Sequence, residues 1–375
     1  MKEKLFAIGE SIKKEICGIS DFMYHNPELG NVEYKAAEKL EHLLAAHGFD
    51  VKHAPLGIET AFHAVYDSGK PGASVAFLCE YDALPEIGHA CGHNMIGAMS
   101  AGAGVVLSKA IDEIGGKIHV FGTPAEETNG GKVAMVDAGM FNGITAAMMI
   151  HPSSQTMESG KSSAMEALQF AYKGLTAHAA GCPEDGINAL NAVIQLFNGI
   201  DALRQHVTPD VRMHGIIAKG GVAANIVPDE GVAQFYLRAA TKEALAGVKE
   251  KVLKIAEGAA LMTGATLEVS NYELSYDDLK TNAPLLEAYN KNLRNLGIED
   301  ILPPSKGAGS SDIGNVSNVL PTIHPYIGIS NTPIVGHTRE FAAATITELA
   351  HERLLIGALA LAYTGLDVLM GEVEL

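Results

Sequence analysis

The tightest constraint in this chain is the run Gly88-His89-Ala90-Cys91-Gly92-His93-Asn94. It places a thiol and two imidazoles within five residues, directly after the carboxylate-bearing Glu80-Tyr81-Asp82-Ala83-Leu84-Pro85. Thiolate and neutral imidazole are ligands of zinc and its neighbours. Cys91 and His93 flank a glycine, so both can reach one point from an irregular turn. A regular strand would also put them on one face, but Gly92 favours the turn. A helix-like run of small residues over 95–110 follows at once. A ligand turn between a strand and a buried helix is where an α/β enzyme builds its site.

The rest of the chain fits that class. Leu5, Ile8, Ile12, Ile16 and Ile19 recur at helical spacing, and residues 33–47 repeat the pattern. Strand-like runs at 73–78, 117–122 and 146–150 then alternate with helices at 95–110 and 131–137, as in a largely parallel sheet flanked by helices. The character changes near residue 160. Strands at 167–173, 213–218, 231–238 and 265–272 and helices at 186–205 and 242–263 follow in the order β-α-β-β-α-β, a ferredoxin-like module. A chain of 375 residues exceeds one ordinary hydrophobic core. The expected layout is a mixed α/β catalytic domain over 1–162 and 275–375, with an inserted α+β lid or dimerisation domain over 163–274. A helix near 283–296 reopens the first domain.

Composition narrows the function. Apolar residues at 47% and charged residues at 19% exclude a disordered chain. A formal charge of −17 argues against nucleic acid or an anionic membrane as partner. The most apolar segment, 354–363, is too short to span a bilayer and reads as a buried C-terminal helix. The N-terminus mixes acidic residues with basic ones and lacks the apolar core of a signal peptide. Four cysteines, none in a CxxC pair, make no disulfide framework, so the expected location is cytoplasmic.

Three further clusters carry chemistry. Thr123-Pro124-Ala125-Glu126-Glu127 follows the strand at 117–122. Adjacent carboxylates diverge, so one can bind a metal while the other stays free as a general base. Alone, the pair reads more readily as a solvated acidic helix start. His151 closes an apolar strand before Pro152, and His337 lies in Gly336-His337-Thr338-Arg339-Glu340. Each alone is as readily structural. As a set, Cys91, His93, Glu127, His151 and His337 suit two zinc-like ions with a bridging group between them, and a thiolate can serve as that bridge.

With these motifs in their order, the chain resembles metallopeptidase family 20, the dinuclear aminoacylase and glutamate-carboxypeptidase group. The His89-Ala90-Cys91-Gly92-His93 version is similar to its amidohydrolase branch, which includes hippurate, auxin-conjugate and aminobenzoyl-glutamate hydrolases. The resemblance implies two divalent ions per chain, held by Cys91, His93, Glu127, His151 and His337. Zinc is the first expectation, with manganese, cobalt or nickel as alternatives. It implies Glu126 as the general base towards a metal-activated water. His178, in Gly174-Leu175-Thr176-Ala177-His178-Ala179-Ala180, would reach the neighbouring subunit's site and stabilise the oxyanion, given a homodimer or homotetramer built through the lid. Asn225 and Arg238 resemble lid residues that hold a substrate carboxylate, although Arg238 reads equally as a salt-bridged strand end. The loop Lys306-Gly307-Ala308-Gly309-Ser310-Ser311-Asp312 resembles one beside that carboxylate, with Gly309 and Ser310 binding substrate through a nest of amides. Asp82 and Asp312 would orient metal-bound groups from behind, although Asp312 reads equally as a local turn cap.

Two departures shape the substrate. Asn94 stands where the branch commonly has aspartate, and Glu80 stands two residues before Asp82 in place of a histidine. Asn94, Asn315-Val316-Ser317-Asn318-Val319 and Ile323-His324-Pro325 look like the sub-branch of aminobenzoyl-glutamate hydrolases and dipeptidase-like proteins. The expected reaction is hydrolysis of a small N-acyl amino acid, aminobenzoyl-glutamate-like conjugate or dipeptide with a free carboxylate. The rivals are a cysteine amidase with Cys91 as nucleophile and His93 or His89 as base, and a non-catalytic metal-binding homologue.

Overall fold

Leu5, Ile12, Ile16 and Met23 form the buried stripe of the first helix, α1 (Lys2–His25), in a computed structural model that describes residues 1–304 and 309–375. The chain divides into two compact units, Met1–Lys161 with Leu279–Leu375, and Ser162–Asp278. The second runs to Asp278 rather than residue 274. Its last segment is tied to its first strand, Tyr276 N–H donating to Met165 O at 2.9 Å and Met165 N–H to Tyr276 O at 2.8 Å.

In the first unit α1 is followed by α2 (Tyr34–Ala46), β1 (Asp50–His53), β2 (Phe62–Asp67), β3 (Ser74–Cys79), α3 (His93–Ile114), β4 (Lys117–Gly122), α4 (Gly131–Asp137), β5 (Ala146–Met148) and β6 (His151–Ser153). The second unit holds β7 (Ala164–Lys173), α5 (Ala189–Leu203), β8 (Arg212–Lys219), β9 (Glu230–Ala239), α6 (Lys242–Thr263) and β10 (Thr266–Asn271). The first unit resumes with α7 (Ala283–Asn295), α8 (Ile313–Ser317), β11 (Thr322–Ile323), β12 (Tyr326–Gly328), α9 (Arg339–Ala344) and α10 (Glu348–Leu369).

The main sheet has the order β1-β2-β4-β3-β5-β11. The pairs β4-β3, β3-β5 and β5-β11 are parallel, while β1-β2 and β2-β4 are antiparallel. The sheet is therefore mixed, with its parallel part around β3. All six residues of β3 are buried, as expected of a central strand covered on both faces. α3 packs against α1, α10 and β3. It is apolar and long enough to cross a membrane by composition, but 94% of its most apolar window is buried inside the molecule. Gly97 lets it approach the sheet, because a Cβ there would stand 2.9 Å from the Glu80 carbonyl oxygen.

The expected strand at 146–150 is shorter in the structure. β5 stops at Met148, and β6 pairs in parallel with β12 in a separate two-stranded sheet. His151 thus opens a strand instead of closing one, and its N–H donates to Pro325 O at 3.0 Å. The second unit is a four-stranded antiparallel sheet, β10-β7-β9-β8, whose core is shared with α5 and α6. Its α6 is bounded by a Thr241 N-cap and by Gly264 in the left-handed region.

Candidate metal centre and active site

The parallel strands β4, β3 and β5 lie side by side, and the segments leaving their carboxyl ends carry the chemistry. β3 leads to Glu80 and Asp82, β4 to Glu126 and Glu127, and β5 to His151. Between β3 and α3 the Cys91-Gly92-His93 turn closes over them. Gly92 has φ +85°, and a Cβ there would collide with Pro152 Cγ, so a side chain fits neither the backbone nor the space. Ala125 (φ 61°) and His337 (φ 59°) also occupy the left-handed region, which non-glycine residues enter only when their surroundings hold them there. For Ala125 the holder is Glu33, whose Oε1 accepts its N–H at 2.7 Å. Burial pushes the Glu33 carboxyl up to about 7. For His337 it is Ala90, whose carbonyl accepts the His337 N–H at 2.9 Å.

These turns bring all five expected ligands together. Ligand atoms of Cys91, His93 and His151 lie within 4.8 Å of one another, as do those of Cys91, Glu127 and His337, and those of His93, Glu126 and Glu127. Cys91 belongs to two of the sets, the position a bridge would occupy. The hydrogen bonds aim the lone pairs. Asp82 accepts from His93 Nδ1 at 2.8 Å with one oxygen and from the Glu127 N–H at 3.0 Å with the other. His151 Nδ1 lies 2.7 Å from the Pro152 carbonyl. A carboxylate or carbonyl at Nδ1 places the proton there and leaves Nε2 as the ligand atom.

Two buried atoms of the ligand set suit a cation. His93 Nε2 and Glu127 Oε1 have no hydrogen-bond partner, although Glu80 Oε2 stands 3.4 Å from the first and His337 Nε2 stands 3.2 Å from the second. Unpaired buried acceptors aimed into one space are costly unless something positive fills it. Soft thiolate, imidazole and carboxylate together suit a zinc-like ion. The residues therefore fit a divalent metal.

Electrostatics at the site separates the groups. Burial pushes the Cys91 thiol up to about 12 and pulls His151 down to about 4. Burial also opposes charge on His93, but Cys91 and Asp82 outweigh it and hold that imidazole well above its ordinary value. Glu126 is held well above the carboxylate range, first by burial and then by Glu80 and Asp312. A divalent ion favours thiolate and neutral imidazole, reversing the Cys91 and His93 directions.

Four residues of this centre had no assigned role in the sequence. Lys132, fully buried at the start of α4, pairs with Glu80 Oε1 and Asp312 Oδ1, both at 2.6 Å. Glu80 is thus part of the centre rather than only a departure from a motif. Glu33 holds the turn before Glu126. His324 is buried with its ring 5.6 Å from that of His151, and its Nε2 has no partner. The available signals were a lysine directly after Gly130-Gly131 beside a carboxylate pair, and a histidine at the end of a short apolar strand.

The remaining expected residues lie elsewhere. In the second unit His178 is exposed, and its Nδ1 accepts the N–H groups of Ala180 and Gly181 at 3.2 and 3.0 Å. The proton therefore sits on Nε2. Asn225 adjoins it, its carbonyl accepting the Ala179 N–H at 3.0 Å. Arg238 pairs with Met165 at the far end of β9, whose first residue, Glu230, pairs with Lys173. At ~3.4 Å per residue Glu230 and Arg238 are roughly 27 Å apart along β9. The unit brings His178 and Asn225 together but not Arg238. In the first unit Gly309 is exposed and Ser310 half-buried, and part of the expected anion loop, residues 305–308, lies outside the described residues.

The chain matches known proteins over most of its length. The chain matches the peptidase family M20/M25/M40 over residues 76–352. It is 36% identical over 366 residues to the Xaa-Arg dipeptidase of Mus musculus, covering 94% of this chain and 85% of that one. It is 33% identical over 280 residues to a p-aminobenzoyl-glutamate hydrolase chain of Escherichia coli strain K12, covering 69% and 58%. The fold is shared with the Bacillus subtilis YXEP protein, a dinuclear metal-binding peptidase from the M20 family, at a TM-score of 0.72 and 20% identity over 96% of this chain and 99% of that one. The chain belongs to peptidase family M20/M25/M40 and is a metal-dependent hydrolase of amide or peptide bonds.

Proposed function

We propose that this enzyme hydrolyses the amide bond of a dipeptide or short N-acyl amino acid that carries a free carboxylate. The convergence of Cys91, His93, Glu127, His151 and His337 beside Glu126 carries the reading. These five residues would hold two divalent ions, zinc first among the candidates. When bound, such ions supply Lewis acidity and a water made acidic enough to attack near neutral pH. Glu126 takes the attacking water's proton and passes it to the leaving nitrogen. Its carboxylate lies with His93 and Glu127 in one cluster of ligand atoms. Asp82 holds His93 and the Glu127 backbone with its two oxygens, so a ligand and the turn carrying the base move as one body. The names of the mouse and E. coli relatives both describe an amide of an amino acid, and they motivate the substrate class.

His178 serves as an oxyanion donor, supported by the proton on its exposed Nε2. We place it in the site of a partner copy. The open edge β8 with exposed Ile216 and Ile217 supports pairing of two second units. Co-expressed His178→Ala and Glu126→Gln chains should recover part of the activity that each lacks alone; no recovery removes the cross-subunit role. A cytoplasmic location is supported by four free cysteines.

The Cys91–His151 distance of 3.3 Å favours a cysteine amidase as second reading. A thiol pushed up to about 12 is the opposite of an activated nucleophile, and that reading leaves Glu127 and His337 without work. The deciding experiment is a panel of dipeptides and N-acyl amino acids, assayed before and after chelation and after metal is returned. Cleavage that disappears and returns supports the metal reading. Cleavage indifferent to chelator and abolished by a thiol reagent moves the chemistry to Cys91.

A further inference from the structure

Next to Glu126 lies a set of charges that the reaction above leaves unused. Glu80, Glu126 and Asp312 place carboxylate oxygens within 4.8 Å of one another. Glu80 and Asp312 are almost completely buried. Three carboxylates at this spacing form the donor set of a hard divalent cation. Here the chain provides the cation. Lys132 Nζ stands 2.6 Å from Glu80 Oε1 and 2.6 Å from Asp312 Oδ1, and its backbone N–H donates to Asp312 Oδ2 at 3.1 Å. Both Asp312 oxygens are thus engaged by one residue. The second Glu80 oxygen faces His93 Nε2 at 3.4 Å, which links the ammonium through one carboxylate to the metal-ligand set.

A buried lysine normally tends to lose its proton, but two carboxylates in contact keep it charged, and one ammonium pinned between two acids is geometrically fixed. The same ammonium attracts Glu126. Without it three carboxylates would repel one another in a closed space. They would then move apart or draw in a cation from solvent.

We propose that Lys132 is the internal counter-cation that positions Glu126: its ammonium fills the Glu80–Glu126–Asp312 trio, keeps a further metal ion out of it, and fixes the base beside His93 and Glu127. Lys132 does not touch the reacting atoms, so it is a positioning residue. The inference rests on Glu126 being the base, and its test includes readouts independent of turnover.

The test uses full-length Lys132→Ala. Its kcat should fall roughly 100-fold, the range expected for a misplaced proton-transfer group, with KM little changed. Methylammonium, which fits the vacated space, should raise the Tm of chelator-treated Lys132→Ala but not of wild type, and should restore part of kcat. Elemental analysis after dialysis against metal should show more metal per chain than wild type takes up. Should Lys132→Ala not fold, Lys132→Met/Asp312→Asn removes one charge of each sign and should fold where the single variant does not. Wild-type kcat in Lys132→Ala, a methylammonium effect equal in both proteins, or, where the single variant does not fold, a double variant that folds no better would each overturn the proposal. If wild type cleaves nothing on the amide panel, the proposed reaction fails, while the Tm and metal measurements still judge the counter-cation.

Discussion

Glu126→Gln will bind metal as wild type does and turn over substrate roughly 1,000-fold more slowly, within the 10²–10⁴ range that a positioned general base contributes. Glutamine keeps the shape of glutamate and cannot take a proton. None of the three nearby acids Glu80, Asp312 and Asp82 is placed to replace it. Glu80 and Asp312 are each held by Lys132 at 2.6 Å, and Asp82 spends both oxygens on His93 and Glu127. The variant should not be less stable. It removes a buried carboxyl whose proton affinity is raised by burial and by the neighbouring Glu80 and Asp312. Steady-state kinetics paired with elemental analysis and a melting curve reads all three expectations. Wild-type kcat at full metal content would take the base away from Glu126.

Cys91→Ser has the next largest effect, on the metal rather than on the proton. Cys91 is shared by two of the ligand sets, so its loss weakens both positions at once. A serine hydroxyl is a much weaker acid than a thiol and does not ionise to provide the anionic bridge. Changes even to groups behind the ligands cost roughly 10–100-fold in metal affinity, and a bridging ligand should cost at least as much. Equilibrium dialysis against zinc, with elemental analysis of the retained metal, measures this directly. An unchanged metal-to-protein ratio in a variant that no longer turns over would return Cys91 to the nucleophile's role.

Much of the architecture was written in periodicity. The strand at 117–122 and the helices at 131–137 and 242–263 coincide with β4, α4 and α6. A buried strand between turn signals and a helix with a threonine cap and a closing glycine are local patterns that one segment carries by itself. The antiparallel edge, β1 and β2, is not of that kind. β1 is four residues long and largely exposed, so it leaves no apolar run to read. The end of β5 at Met148 was hidden because Met149 and Ile150 continue its apolar run, and the change of sheet at His151 is visible only in the partner strands β11 and β12.

The site divides in the same way. Its ligands were legible because each follows a strand, where side-chain type alone suggests chemistry. Lys132 and Glu33 were not, because their partners are remote. Lys132 meets acids 52 and 180 residues away, and Glu33 meets a backbone amide 92 residues away. A buried ion pair between distant segments has no spacing signature, and a lone lysine at a helix start looks like any solvated one. The pairing of His178 with Asn225, and the separation of Arg238 from both, depend likewise on strand register, which a single sequence leaves open.

The most direct test of the whole account is the metal content of the purified wild-type chain. About two divalent ions per chain, removed by chelator together with amide hydrolysis and restored with it, is the predicted result for a five-ligand centre with a bridging thiolate. A chain that holds no stoichiometric metal and still cleaves amides after chelation would contradict it.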